Sequence, residues 1–178
     1  MAIEIGDRIP DVTLRTLRDG KVRSVSTAEL FRGKKGILFA VPGAFTSVCS
    51  DFHLPGFIEL ASTFHSKGVE VVACMAVNDI EVMKAWFEAK GVSDAIVPLA
   101  DGNAELARAM GLEMDSTAFG MGLRSQRFAA LLDDGVVRAL GIDEPGEVAA
   151  SSAAAMLVEL NELNDLNETV VEPVRPTS

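Results

Sequence analysis

An α/β fold, a central mixed sheet flanked by helices, is what this 178-residue sequence predicts, and three observations carry that prediction. Two continuous apolar runs, Ile37 to Val41 and Val69 to Val77, read as strands buried on both faces. Each is followed by a segment of helical spacing, which is the alternation that parallel crossovers require. Asp-Gly pairs at Asp19-Gly20 and Asp134-Gly135 mark antiparallel hairpins near either end.

The elements follow in order. Asp11 to Thr16 and Lys21 to Ser26 alternate around Asp19-Gly20, so the chain opens with a β-hairpin. Ser26-Thr27-Ala28-Glu29 has the form of a capping box and starts a short helical turn that ends at Gly33. After the strand Ile37 to Val41, the stretch Ser47 to Lys67 is helical, with a kink or break expected at Pro55-Gly56 and a stop at Gly68. Val69 to Val77 is the next strand, and Asn78-Asp79 caps a helix over Ile80 to Lys90 that closes at Gly91. Ala95 to Leu99 is a third strand, leading through Asp101-Gly102-Asn103 into a helix that stops at Gly111. Arg127 to Leu132 and Val136 to Ile142 form the closing hairpin, and an Ala-rich helix over Glu147 to Leu163 completes the fold. Residues 1–163 are thus expected to form a single domain, and 164–178 a C-terminal tail or partner-contacting arm.

Composition narrows the function. A 48% hydrophobic fraction supports one sizeable core. A net charge of -10 opposes binding to nucleic acid or to anionic membrane, both of which need clustered Lys and Arg. The start, Met1 to Asp7, lacks the basic and apolar regions of a secretory signal, so a cytoplasmic location is expected. The two cysteines, Cys49 and Cys74, lack Cys-x-x-Cys spacing, which leaves neither a zinc knuckle nor a disulfide scaffold. No metal site and no bound cofactor are expected.

Cys49 stands apart from Cys74 by its setting. It lies at the start of a helix, where unpaired N–H groups and the helix dipole favour a thiolate, whereas Cys74 sits mid-strand among apolar residues. The order of elements looks like a thioredoxin-like fold with an N-terminal β-hairpin extension. In that fold a second cysteine three residues before the first makes a dithiol exchanger; here Thr46 holds the place. Pro42-x-x-x-Thr46-x-x-Cys49 resembles the active-site signature of the peroxiredoxins. Phe45-Thr46, Cys49-Ser50, His53 to Phe57, Val71 to Asp79, Arg124-Ser125-x-Arg127-Phe128-Ala129 and Asp134 to Val137 are similar to the peroxiredoxin-5 (type II) subfamily, over roughly residues 3 to 160.

The resemblance implies a thiol-dependent peroxidase acting on hydrogen peroxide and small alkyl hydroperoxides. Acidity alone cannot make such a thiol fast. Lowering a thiol pKa from about 8.5 to about 6 raises the thiolate fraction at pH 7 roughly 30-fold, but the accompanying loss of nucleophilicity returns roughly tenfold of that. Donors must therefore grip the breaking O–O bond, and the nominees are the Thr46 hydroxyl, the Cys49 backbone N–H and the Arg127 guanidinium. Pro42 is implied by the family as a shield on one side of Cys49. Attack leaves a sulfenic acid that another thiol must reduce. Asp143 to Met156, where two-cysteine relatives carry a resolving cysteine, holds Ser151 and Ser152 instead. The expectation is a one-cysteine cycle recycled by an external thiol, glutathione with or without glutaredoxin, or thioredoxin. A homodimer is expected by resemblance. His53 is read as structural or supporting rather than as a catalytic base, Arg124 as orienting its neighbours, lying at a subunit contact or solvated, His65 as surface and Trp86 as core or interface packing. Two other classes stay open: a thiol-disulfide exchanger, and a non-enzymatic redox sensor.

Overall fold

The computed structural model describes residues 1–169. Strands β1 (Thr13–Arg18) and β2 (Lys21–Ser26) flank Asp19 and Gly20, whose φ values of 53° and 72° give the turn the hand that twisted strands need. Ser26 caps α1 (Thr27–Phe31), its hydroxyl accepting from the Glu29 N–H at 3.2 Å. The apolar runs become β3 (Lys35–Ala40) and β4 (Val71–Ala76), joined by α2 (Leu54–Ser66). Asp79 accepts from the Val82 N–H and starts α3 (Ile80–Lys90), which Gly91 ends at φ 65°. Strand β5 (Val97–Ala100) and helix α4 (Glu105–Ala109) follow, then β6 (Glu113–Asp115), β7 (Leu123–Ser125), β8 (Arg127–Asp133), β9 (Val136–Asp143) and α5 (Ala153–Thr169).

One seven-stranded mixed sheet runs β2-β1-β5-β4-β3-β8-β9. Strands β3, β4 and β5 are parallel; β8 pairs antiparallel with β3, and β9 with β8. The opening hairpin extends this same sheet, with Arg15 on β1 opposite Ala100 on β5. Alternation along β3 divides the core. Ile37 and Phe39 pack on one face with Phe57, Trp86 and Met156, while Leu38 and Ala40 pack on the other with Phe31, Leu106 and Met110. No helix among the described residues is long and apolar enough to cross a membrane.

Four features depart from the sequence expectation. The pair β6–β7 was not anticipated, because three-residue strands carry too little periodicity to read. The helix bearing Cys49 does not break at Pro55; instead it widens into a π turn over Cys49–His53, just before the proline. Proline's ring crowds the carbonyl four residues back, and a wider turn there gives it room. The last helix begins at Ala153 rather than Glu147, because residues 149–151 are bound to Asp143 instead of to one another. It also continues through Thr169, so Asn164 to Thr169 belong to it, with Asn164 accepting from Lys35 at 2.8 Å and donating to the Lys67 carbonyl. The remainder of the expected tail lies outside the described residues.

Candidate active site

The β3 strand ends against the loop from Val41 to Thr46, and its neighbour β4 helps to shape that loop. The Val41 N–H donates to the Met75 carbonyl, and the Ala44 N–H to the Asn78 side-chain oxygen at 2.9 Å. The Thr46 hydroxyl donates to the Gly43 carbonyl at 2.7 Å, while the Ser50 N–H donates back to the Thr46 carbonyl. Phe45 takes φ 65°, a strained value for a bulky side chain, and is 54% exposed. The helix then carries Cys49 inward, to 1% exposure, against the Phe39 and Phe57 side of the core.

Arg127, the first residue of β8, is 4% exposed, and its Nη2 donates to the Cys49 sulfur at 3.1 Å. Such a contact is stronger to a thiolate than to a neutral thiol. The other arm of the fork, Nη1, meets His53 Nδ1 at 2.9 Å, and His53 Nε2 lies 2.9 Å from the Ser151 carbonyl. These partners fix the tautomer. A guanidinium only donates and a carbonyl only accepts, so Nδ1 holds the lone pair and Nε2 the proton. Burial, more than any other cause, lowers the His53 pKa from 6.5 to about 4; the Ser151 carbonyl opposes it and the Arg127 charge adds to it. His53 is therefore neutral at working pH. Its ring lies edge-on to Phe39 and Phe57. Arg127 Nε is buried with no hydrogen-bond partner among the described residues, so its N–H is unspent.

The sequence-derived candidates are thus only partly gathered on the sulfur. Arg127 reaches Cys49 directly. Thr46 lies one turn before it, but the single proton of its hydroxyl is engaged by Gly43, so acting as a donor to a substrate would require that bond to switch. Pro42 is half-buried in the loop that follows β3. Arg124 is half-buried, and its Nε donates to the Met121 carbonyl and its Nη1 to the Val77 carbonyl, tying the β6–β7 connection to the end of β4. Trp86 is fully buried and donates to the Ser50 hydroxyl at 2.9 Å, next to Cys49. His65, on the outer end of α2, faces the carbonyls of Val69 and Ala95. Cys74 is fully buried on β4, and burial first, then proximity to Cys49, raises its pKa well above the ordinary thiol value. Asn78, Asp143 and Ser151 were not anticipated as contributors. Asn78 read only as part of a helix cap, and nothing local marks the other two.

Residues 4–157 match the redoxin family. The chain is 52% identical over 163 residues to peroxiredoxin-2E-2, chloroplastic, of Oryza sativa subsp. japonica, covering 89% of this chain and 72% of that protein. It belongs to the peroxiredoxins. Reduced Prx3 from Vibrio vulnificus, solved in complex with hydrogen peroxide, superposes on this peroxiredoxin with a TM-score of 0.84 at 47% identity, covering 89% of this chain and 99% of that one. Peroxiredoxin 5 from Alvinella pompejana gives a TM-score of 0.79 at 37% identity, over 90% and 99% of the two chains. This peroxiredoxin is accordingly a thiol-dependent peroxidase with a thioredoxin-like fold.

Proposed function

We propose that Cys49 is the peroxide-reactive thiol of a one-cysteine cycle, with Arg127 as its electrostatic partner and electrons supplied by an external thiol rather than by a bound cofactor. The observation that carries this reading is the 3.1 Å contact from Arg127 Nη2 to a sulfur that is itself almost fully enclosed. The Cys49 thiolate attacks one peroxide oxygen, the O–O bond breaks, and the departing oxygen leaves with a proton as water or alcohol. Cys49 is then a sulfenic acid. One external thiol displaces water to form a mixed disulfide, and a second releases Cys49 as thiol with the external pair oxidised. Arg127 offers its unspent Nε–H to the substrate oxygens, and with the Thr46 proton on Gly43 that hydroxyl presents lone pairs to a bound hydroperoxide O–H. A sulfur of 1% exposure favours small oxidants, hydrogen peroxide and short alkyl hydroperoxides.

Cys74 suits no resolving role: it is held at the centre of β4, opposite Phe39 on β3 and Pro98 on β5. The reductant we favour is glutathione, with or without glutaredoxin, and then thioredoxin. Phe45 and Phe52, on the loop and turn that carry Cys49, and Phe119, two residues before the Met121 that lies against Gly43 of that loop, are 54%, 69% and 81% exposed and support a homodimer through this face. Two free thiols suit a reducing compartment, and we place the protein in the cytosol. Stopped-flow reaction of the reduced protein with hydrogen peroxide, followed by turnover with each reductant in turn, tests the cycle. Rapid loss of one thiol per chain is expected, with turnover sustained by an external thiol. An intramolecular Cys49 to Cys74 disulfide found by mass spectrometry after one equivalent of peroxide would overturn it. Reduction of insulin disulfides would favour an exchanger, and slow oxidation without turnover a sensor.

A further inference from the structure

Asp143 closes β9 directly opposite Arg127 on β8, a register in which oppositely charged side chains ordinarily pair. They do not pair here. The Asp143 carboxylate instead accepts the N–H groups of Ala149, Ala150 and Ser151, each at 2.9 Å, and the Ser151 hydroxyl at 2.6 Å. Four donors on one carboxylate leave it little capacity for a cation, so the Arg127 charge stays available to Cys49. The same four bonds shape the turn that aims the Ser151 carbonyl at His53. Gly141 makes room for that turn: a Cβ there would sit 2.0 Å from the Ala150 oxygen.

We propose that Asp143, acting through the Ser151 peptide and the His53 ring, is a positioning residue for the Arg127 guanidinium. The Ser151 carbonyl holds the proton on Nε2 of His53; the Nδ1 lone pair then faces Nη1, and with one arm of the rigid fork fixed the other lies on the sulfur. The opposite tautomer would aim an N–H at an N–H and turn the fork away. The inference rests on Cys49 being the reacting thiol.

The experiment compares two reactions of Cys49 in Asp143→Asn, His53→Leu and His53→Gln: its rate constant with hydrogen peroxide, and its alkylation by iodoacetamide at a pH where the thiolate is fully formed. Peroxide cleavage needs the guanidinium in place, whereas alkylation of a formed thiolate does not. Asp143→Asn and His53→Leu are expected to lower the peroxide rate constant about 10- to 100-fold, as a misplaced catalytic group does, with alkylation nearly unchanged. His53→Gln, whose amide can accept from Nη1 and donate to Ser151, is expected to recover most of the loss. Peroxide rate constants like the parent's in folded Asp143→Asn, or peroxide and alkylation rates falling together in every variant, would overturn the proposal. Should Asp143→Asn fail to fold, the contrast between His53→Leu and His53→Gln decides, and no difference between them sinks it. If the parent's Cys49 itself fails to react with peroxide, it is the one-cysteine reading that falls.

Discussion

At the scale of single residues, the site depends on an arginine whose two arms do different work. Lysine keeps the charge but is a point donor that cannot hold sulfur and imidazole together, so Arg127→Lys should lower the peroxide rate constant about 100-fold, measured by stopped flow. Thr46 presents a second test. Its hydroxyl closes the loop onto the Gly43 carbonyl, so Thr46→Ser should keep most of the peroxide rate and Thr46→Val should lose about tenfold or more. The two cysteines should separate cleanly. Cys49→Ser should abolish peroxide turnover, while Cys74→Ala should retain most of it at a stability loss of about 1 kcal/mol in urea denaturation. Its place at a helix start singled out Cys49, whereas Thr46, Pro42 and Arg127 were nominated by the resemblance to the peroxiredoxin motifs they match. His53 was visible but undirected: its partners are 74 and 98 positions away.

At the scale of elements, the β9–α5 connection is the part that local propensity misjudged. Glu147 to Ser152 reads as the start of an Ala-rich helix, yet the Asp143 carboxylate takes its N–H groups one by one and delays the helix to Ala153. A carboxylate acceptor six to eight residues back overrode a weak helical preference. Gly141→Ala tests this packing, since its Cβ would strike the Ala150 carbonyl, which is backbone and cannot swing aside. A loss of about 1 to 3 kcal/mol is expected by chemical denaturation. The π turn at Cys49–His53 is a second such element. It sets a ring and a sulfur four residues apart against the same guanidinium, and no composition signal distinguishes it from an ordinary turn.

For the whole molecule, burial of His53 links stability to pH. A base whose folded pKa is depressed binds fewer protons folded than unfolded, so stability is fully retained above pH 6.5 and declines as pH falls toward about 4. The shift corresponds to roughly 3 kcal/mol across that window. Asp143 acts in the same direction further down. Burial would raise its pKa, but the Ser151 hydroxyl and the three N–H groups outweigh burial and hold it near 2, so its contribution is lost as pH drops from 3.8 toward 2. Thermal melts of the protein and of His53→Gln between pH 7 and 4 should show a steeper fall in the parent; parallel curves would contradict the link. The exposed phenylalanines predict a dimer that Phe119→Asp weakens, read by sedimentation velocity.

The sequence by itself determined the α/β class, the two hairpins and the buried parallel strands, and it set Cys49 apart from Cys74 as the candidate nucleophile, because periodicity, turn chemistry and a compact motif are local properties of a chain. Only the tertiary structure decided where the Thr46 proton goes, that Asp143 declines the arginine facing it, and that His53 joins Arg127 to the Ser151 carbonyl. Those outcomes are competitions among donors and acceptors, some between partners three to eight positions apart and others between partners 74 and 98 apart, and they are settled by which groups folding brings within about 3 Å of one another.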